Sequence, residues 1–457
     1  MIPMQRPTVS GQRHSPGAGA WALRIGTLLA AIIVGALAGV LGTVPWAIML
    51  AAVVVAALAL LFFLGGRQGE KVLALYWVTF CLFSTMLTAY VVGGMFVYFY
   101  LALMVVLVGQ LSRRSVDIDT TAAWAFVSLF VVVFASLIGY LGSLGGVSLD
   151  RLLFIPLGLV SMLVIGPGRT PRLLFGAMIA SSLAVAVWVV ISAIEAGFAY
   201  RGNVSIDQNV VSYFIGIGFV LCLAWFVDQP PQRPSAFLAV LCLLILLGLG
   251  YGLVLLASRG AFTSLGIVIV VTIVHSVRSE PRRVWNLALL LLIVSSGLLL
   301  PGGQGILKRF EDPSTETGGG RVLIWETVLE ATQASTPPQL LFGHGMTSSA
   351  QLIRSRFTYL SSTHNSYLLM FYDYGLVGLF LFLFLHAVVF VRVWRRQDAM
   401  ASQVLLLLVF QMSIGLFISA SDSYLYWIAL GTTLGATSVS RGSSRDDASN
   451  APALGRG

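Results

Sequence analysis

Long apolar runs separated by short polar connections dominate the chain from residue 25 to residue 437. The runs lie at about 25–44, 46–65, 72–91, 93–111, 122–142, 152–166, 173–194, 210–227, 236–257, 261–277, 285–300, 366–392, 402–420 and 424–437. Most approach the roughly 20 residues that an α-helix needs to cross a bilayer core. The pattern predicts an all-α, polytopic membrane protein with about 14 transmembrane helices. If the short runs at 152–166 and 424–437 are re-entrant, about 12 helices remain.

One polar stretch, residues 301–364, interrupts this pattern and predicts a single large loop. Within the loop, Val322, Trp325, Val328 and Leu329 recur at helical spacing, which indicates an amphipathic helix whose apolar face packs on the membrane domain. The predicted division is a tail at 1–20, N-terminal transmembrane helices at 21–300, the loop at 301–364, C-terminal transmembrane helices at 365–437 and a tail at 438–457.

Composition agrees with a membrane protein, because only 10% of the residues are charged and 58% are hydrophobic. The net charge of +9 does not indicate nucleic-acid binding, since most basic residues lie in alternate connections and in the two tails. This bias predicts that those connections and both tails are cytoplasmic. The basic residues left on the opposite side are Arg151, Arg201, Arg259, Lys308, Arg309, Arg321, Arg354 and Arg356.

Two of these arginines are the first candidates for an anion site. Arg259 lies in the tight connection Ser258-Arg259-Gly260, and Arg201 follows a predicted helix end. A guanidinium at the edge of the hydrocarbon core costs several kcal/mol unless it finds a partner, so its presence suggests a function. The alternative is that each side chain anchors the helix end to lipid phosphate.

His364 is the candidate general base. It follows serine and threonine residues that favour a helix N-cap, so we expect it in the first turn of the next helix. The positive end of a helix disfavours imidazolium. A neutral imidazole is the form that accepts a proton. The alternative is an interfacial histidine that caps the helix. His344, between two glycines, is interpreted as a loop residue.

The segment from His364 to Gly378 resembles a motif of bacterial O-antigen ligases. His364-Asn365, nine residues, Gly375, two residues and Gly378 match the pattern H-[NSQ]-x9-G-x-x-[GTY] of that family. The large loop and the Ser-Arg-Gly helix end also resemble the family, over about residues 200–427. The family's Arg-x3-Leu element is met only by Arg356 and Leu360, so the arginine with that role stays open.

The resemblance implies transfer of a finished O-antigen glycan from undecaprenyl diphosphate to a lipid A-core sugar. That reaction places the chain in a Gram-negative inner membrane, with its site facing the periplasm and its helices in contact with membrane lipids. We predict catalytic roles for His364, Arg259 and Arg201. The predicted substrate contacts are Arg321, Asn365, Arg356 and Trp325.

The acidic residues on the outer side are scattered, which predicts a reaction without a metal or another cofactor. An O-antigen polymerase and a protein O-oligosaccharyltransferase use the same donor with other acceptors, and both stay open. A non-catalytic transporter is the alternative from another class. It would need ionisable residues at mid-membrane, where the runs hold almost none.

Overall fold

The computed structural model describes eight stretches between residues 120 and 438, with scattered positions from 70 to 81 and from 197 to 396. The stretches are 120–138, 154–166, 171–195, 208–227, 236–279, 320–357, 362–394 and 399–438. All of these residues belong to one compact unit, Gln68–Gly457. The predicted runs at 25–44, 46–65 and 93–111, the tail at 1–20 and Arg201 lie outside the described residues.

Every regular element of the described residues is helical. The helices are α1 (Thr120–Ile138), α2 (Phe154–Ile165), α3 (Arg172–Glu195), α4 (Gln208–Val227), α5 (Ala236–Leu256), α6 (Arg259–Ser279), α7 (Arg321–Gln333), α8 (Pro337–Phe342), α9 (Ser348–Arg356), α10 (Ser366–Trp394), α11 (Ala399–Ile414) and α12 (Tyr424–Thr437). A 3-10 turn, Ala420–Asp422, precedes α12. The predicted all-α fold is confirmed.

Four described helices are long and apolar enough to cross a membrane, namely α3, α4, α10 and Phe237–Leu256 of α5. Four apolar helices are shorter: Thr120–Ser136 of α1, α2, Arg259–Val274 of α6 and Met400–Ile414 of α11. The chain is therefore a polytopic membrane protein, as its composition predicts. The count of 12 to 14 spans stays a prediction, because several runs lie outside the described residues.

The short helices α2 and α12 pack against each other and run in the same direction. The rings of Phe154 and Tyr424 meet near the N-terminal ends with centroids 4.3 Å apart, and Gly431 faces the backbone of Gly158 in the middle. Gly435 faces the last turns of α2. Small residues allow such close backbone contact between membrane helices. The common direction agrees with the predicted alternation of helix direction along the chain.

Helix α10 is broken at Gly375, where φ is 70° and ψ is −169°. A Cβ at Gly378 would overlap Tyr374 across this break, and the ring centroids of Tyr367 and Phe382 lie 5.9 Å apart. The first segment, residues 366–374, therefore folds back toward the second segment, residues 376–394. The predicted apolar run at 366–392 is therefore divided into two segments at Gly375, because hydropathy does not register a single change of backbone direction.

The buried face of α7 differs from the predicted face. A cluster joins α7 to α9 and to the first segment of α10; it consists of Ile324, Val328, Ile353 and Tyr372, with Trp325 packed against it. Val322 and Leu329 are 40% and 46% exposed. The predicted face is therefore correct for Trp325 and Val328 and wrong for Val322 and Leu329. Ile324 is buried because α7 packs against α9 and the first segment of α10, and these partners decide which face of α7 is covered.

Candidate active site

His364 lies in a left-handed turn immediately before α10. Its φ is 48°, a conformation that costs a non-glycine residue about 1–2 kcal/mol. The side-chain oxygen of Asn365 accepts hydrogen bonds from the backbone N–H groups of Tyr367 (2.9 Å) and Leu368 (3.1 Å), so Asn365 is the N-cap. The predicted place of His364 in the first helical turn is wrong. The residue precedes the N-cap, and its side chain is partly exposed.

Contacts from two directions hold this turn. The hydroxyl oxygens of Ser362 and Thr363 lie 2.7 and 3.0 Å from the Ser419 hydroxyl oxygen. The Ser362 hydroxyl also accepts a hydrogen bond from the backbone N–H of His364 at 3.3 Å. From the other direction, the indole N–H of Trp325 donates to the Thr363 carbonyl at 3.0 Å. The turn is therefore bound both to α7 and to the connection between α11 and α12.

The connection between α11 and α12 also fixes the start of α10. The Ser366 N–H donates to the carbonyl of Gly415 at 2.7 Å, and the Ser366 hydroxyl donates to the carbonyl of Ile418 at 3.1 Å. The same hydroxyl accepts a hydrogen bond from the Ser421 N–H at 3.1 Å. Ser366 is fully buried. The position of the first segment of α10 is thereby set by the last two helices.

The spacing of the family motif corresponds to a defined piece of the fold. Its nine variable residues form the first segment of α10, residues 366–374, and Gly375 ends that segment. A Cβ on Gly375 would overlap the Leu341 carbonyl, and a Cβ on Gly343 would overlap the Asp373 carbonyl. Both glycines adopt backbone angles that are almost restricted to glycine. Gly375 therefore allows α10 to turn where the large loop passes against it.

Asp373, at the end of the first segment, binds the loop from the other side. Its carboxylate accepts hydrogen bonds from the N–H groups of Thr347 (3.1 Å) and Ser349 (2.7 Å) and from the Ser348 hydroxyl (3.1 Å). The residue is fully buried at the N-terminus of α9, where a negative charge is favourable. The first segment of α10 and the loop helix α9 therefore form one bonded unit.

Arg259 and Arg321 stand at helix starts that meet at Asn209. They are the first residues of α6 and α7, respectively. The side-chain oxygen of Asn209, in the first turn of α4, accepts hydrogen bonds from Arg321 Nη2 at 3.4 Å and from the Ser258 hydroxyl at 3.0 Å. Ser258 directly precedes Arg259. The starts of three helices that are distant in sequence thus meet at one polar contact.

A closed ring of contacts joins these arginines to His364. Gly260, which follows Arg259, lies against Phe417 so closely that a Cβ at the glycine would overlap its side chain. Phe417 belongs to the connection that binds the His364 turn. Trp325 leads from that turn back to Arg321, one helical turn earlier. The two arginines and the histidine therefore lie around a common region at one end of the helices.

The other predicted site residues have different positions. Arg356 is the last residue of α9 and is exposed. The amide oxygen of Asn365 serves as the helix cap, and the indole N–H of Trp325 is bonded to the backbone. Arg201 lies outside the described residues, so its catalytic role stays a prediction.

Asn209, Ser258 and Ser419 are site residues that the sequence alone does not single out. Ser258 could have been found from its place beside Arg259, and Asn209 from its polarity at the start of an apolar run. Ser419 has no local signal, because its partner Ser362 is 57 residues away in the sequence.

His344 has a structural environment in the large loop. Its ring stacks on Tyr372 with centroids 4.2 Å apart, and Nε2 lies 2.7 Å from the Ser335 hydroxyl oxygen. Its backbone N–H donates to the Tyr372 carbonyl. Partial burial lowers the pKa of the imidazole, because the charged form loses hydration. These contacts hold the loop against α10.

The fold and the site together define a polytopic helical membrane protein with arginines and a histidine gathered at one end of its helices. Within the part that the structure describes, no three His, Cys, Asp or Glu side chains are close enough to hold a metal ion.

Residues 241–383 match the family model described as O-antigen ligase. The matched residues include Arg259, Arg321 and the motif from His364 to Gly378, and we assign this region to that family. The predicted family is confirmed, over a shorter stretch than the predicted 200–427. The match indicates an activity of the O-antigen ligase or polymerase type. No curated protein matches the chain.

Proposed function

We propose that the protein transfers O-antigen glycan from undecaprenyl diphosphate to a hydroxyl group of a lipid A-core sugar. The observation that carries the proposal is the ring of contacts that gathers Arg259, Arg321 and His364 from separate parts of the chain. Transfer from a lipid diphosphate needs positive charge beside the leaving group and a proton acceptor beside the attacking hydroxyl. The ring supplies both kinds of group.

The two arginines would act on the leaving group. When the glycosidic bond breaks, negative charge increases on the diphosphate, and fixed guanidinium groups aimed at that charge stabilise the transition state. Arginine suits this task because its planar group makes paired hydrogen bonds to phosphate oxygens. The shared neighbour Asn209 keeps Arg321 close to the start of α6. With this charge supplied by the protein, we propose that the reaction needs no metal ion.

His364 would accept the proton of the attacking hydroxyl. The acceptor oxygen forms a bond to the anomeric carbon while the bond from that carbon to the diphosphate breaks. The proton moves to the imidazole, and undecaprenyl diphosphate leaves. General-base catalysis of this kind contributes about 10²–10⁴-fold to a rate. Direct attack from the face opposite the leaving group inverts the anomeric centre.

The proposed location is the periplasmic face of a bacterial inner membrane. The support is the distribution of basic residues, most of which lie in connections on the side of the membrane opposite to the site. The positive-inside bias assigns those connections to the cytoplasm, so the site faces the periplasm. In the described residues, contacts between helix ends agree with that alternation. Glu70 accepts hydrogen bonds at the start of α3, and Arg396 donates to the Ala436 carbonyl near the end of α12.

Deletion of the gene, followed by gel analysis of lipopolysaccharide and of lipid-linked glycan, tests the proposal. We expect long lipid-linked glycan to accumulate while lipopolysaccharide loses its O-antigen, and expression of the wild-type chain to restore capping. Lipopolysaccharide capped with a single repeat would instead identify a polymerase. Unchanged lipopolysaccharide, with a change in glycosylated protein, would identify a protein as the acceptor.

A further inference from the structure

Helix α7 makes two polar contacts with the site, one helical turn apart. Arg321 donates to the side chain of Asn209, and Trp325 donates to the carbonyl of Thr363, the residue before His364. Residues four apart lie on the same face of a helix. A single short helix therefore connects an arginine of the proposed diphosphate site to the turn that carries the proposed base.

The direction of the Trp325 indole is set by packing. Its ring packs against the cluster of Ile324, Val328, Ile353 and Tyr372. The ring thus packs against the cluster through which α7 meets α9 and the first segment of α10. From this position, the N–H group reaches the Thr363 carbonyl at 3.0 Å, a normal hydrogen-bond length.

The His364 turn needs such a contact because its backbone is unfavourable. A left-handed residue persists only where the surrounding structure holds it. Trp325 binds the backbone carbonyl of Thr363, and the Ser419 hydroxyl contacts the side-chain hydroxyls of Ser362 and Thr363. Loss of either contact lets the turn relax, and the imidazole then leaves the position in which it can meet the acceptor hydroxyl.

We propose that Trp325 is a positioning residue for His364, and that α7 couples the diphosphate contact at Arg321 to the placement of the base. In this proposal the indole acts through the turn, whereas the sequence predicts a contact between Trp325 and the substrate. The proposal rests on the proposed function, since it takes His364 as the base and Arg321 as a donor contact.

The test is Trp325→Phe in the full-length protein in nanodiscs, with lipid-linked glycan donor and rough lipopolysaccharide as acceptor. Phenylalanine keeps a ring in the cluster and removes the N–H group. One neutral hydrogen bond corresponds to a loss of about three- to tenfold in kcat, with donor KM nearly unchanged. Trp124→Phe is the matched control, because Trp124 is 69% exposed on α1. Thermal unfolding of each variant verifies that it folds.

Two further measurements separate positioning from stability. Ser419→Ala should also lower kcat, and Ser419→Thr, which keeps the hydroxyl, should restore most of it. Trp325→Phe is also combined with Arg321→Ala, since His364→Ala leaves no activity against which a further loss could be measured. The double variant Trp325→Phe/Arg321→Ala should lose less kcat than the product of the two single fold-losses, since both residues act through α7.

Each outcome bears on a different step. Unchanged kcat in Trp325→Phe overturns the inference, and so does a rise in donor KM at constant kcat, which would mean direct substrate contact. Either result leaves the proposed function in place as long as His364→Ala is inactive. Full capping by His364→Ala would reject the assignment of His364 as the base, whereas the proposed function itself fails if deletion of the gene leaves lipopolysaccharide unchanged.

Discussion

The substitution Gly375→Ala is expected to damage the site without touching any group that we place in the chemistry. Gly375 forms the corner between the two segments of α10, and the backbone of Gly343 passes directly against it. A methyl group there would overlap the Leu341 carbonyl and the Gly343 nitrogen. Both neighbours are backbone atoms, so no flexible side chain can move away to make room.

The cost has two parts. Backbone angles that are almost restricted to glycine cost another residue about 1–3 kcal/mol. Forcing an extra carbon into a packed contact costs a further ~1–3 kcal/mol. Together they correspond to about 2–6 kcal/mol, a large effect for one methyl group. The corner is expected to open, and the first segment of α10, with the His364 turn at its start, is then displaced from Trp325 and Ser419.

The matched control is Gly266→Ala in α6. No atom lies within 4 Å of a Cβ at Gly266, and alanine is favoured over glycine in a helix by about 0.5–1 kcal/mol. The melting temperature in detergent and the capping activity should therefore both fall for Gly375→Ala. Both should be unchanged or higher for Gly266→Ala. Wild-type stability and activity in Gly375→Ala would refute the assignment of the motif glycine to the corner.

Four other predictions concern single groups. His364→Ala should abolish capping while undecaprenyl diphosphate still binds. His364→Gly should be equally inactive but more stable than His364→Ala by about 1 kcal/mol, because glycine removes the left-handed strain. A melting temperature of His364→Gly below that of His364→Ala would contradict this. Arg259→Ala should weaken donor binding and turnover, and Arg259→Lys should restore them only in part; normal donor binding and turnover would leave Arg259 as a lipid anchor. Activity should persist in excess EDTA, and loss that Mg²⁺ or Mn²⁺ reverses would reject a metal-free site. Burial lowers the pKa of His344, so the neutral imidazole is favoured in the folded loop. The stability that His344 adds to the loop is therefore complete above the ordinary histidine pKa of 6.5 and is lost as pH falls through the lowered pKa. Limited proteolysis of the loop should be faster at pH 5 than at neutral pH in the wild type, and this increase should be smaller in His344→Gln.

The sequence by itself determines the fold class, because each apolar run must be a helix if its backbone is to be satisfied inside a bilayer. It also identifies His364 and Arg259 as candidates, since a polar side chain at the end of a long apolar run is costly unless it has a partner or a function. The family motif is readable because its spacing reflects one short helix between an N-cap and a glycine corner. Both ends of that helix depend on local residue types.

Only the tertiary structure decides how the candidates meet. The bond from Arg321 to Asn209 spans 112 residues of sequence, and the contact between Ser362 and Ser419 spans 57. No local pattern encodes such pairs, because each depends on the packing of several helices. The break at Gly375 and the burial of Ile324 likewise depend on the packing of several helices. Hydrophobicity decides that a segment is helical and buried, whereas the direction in which it turns and the face it buries depend on the neighbours it meets.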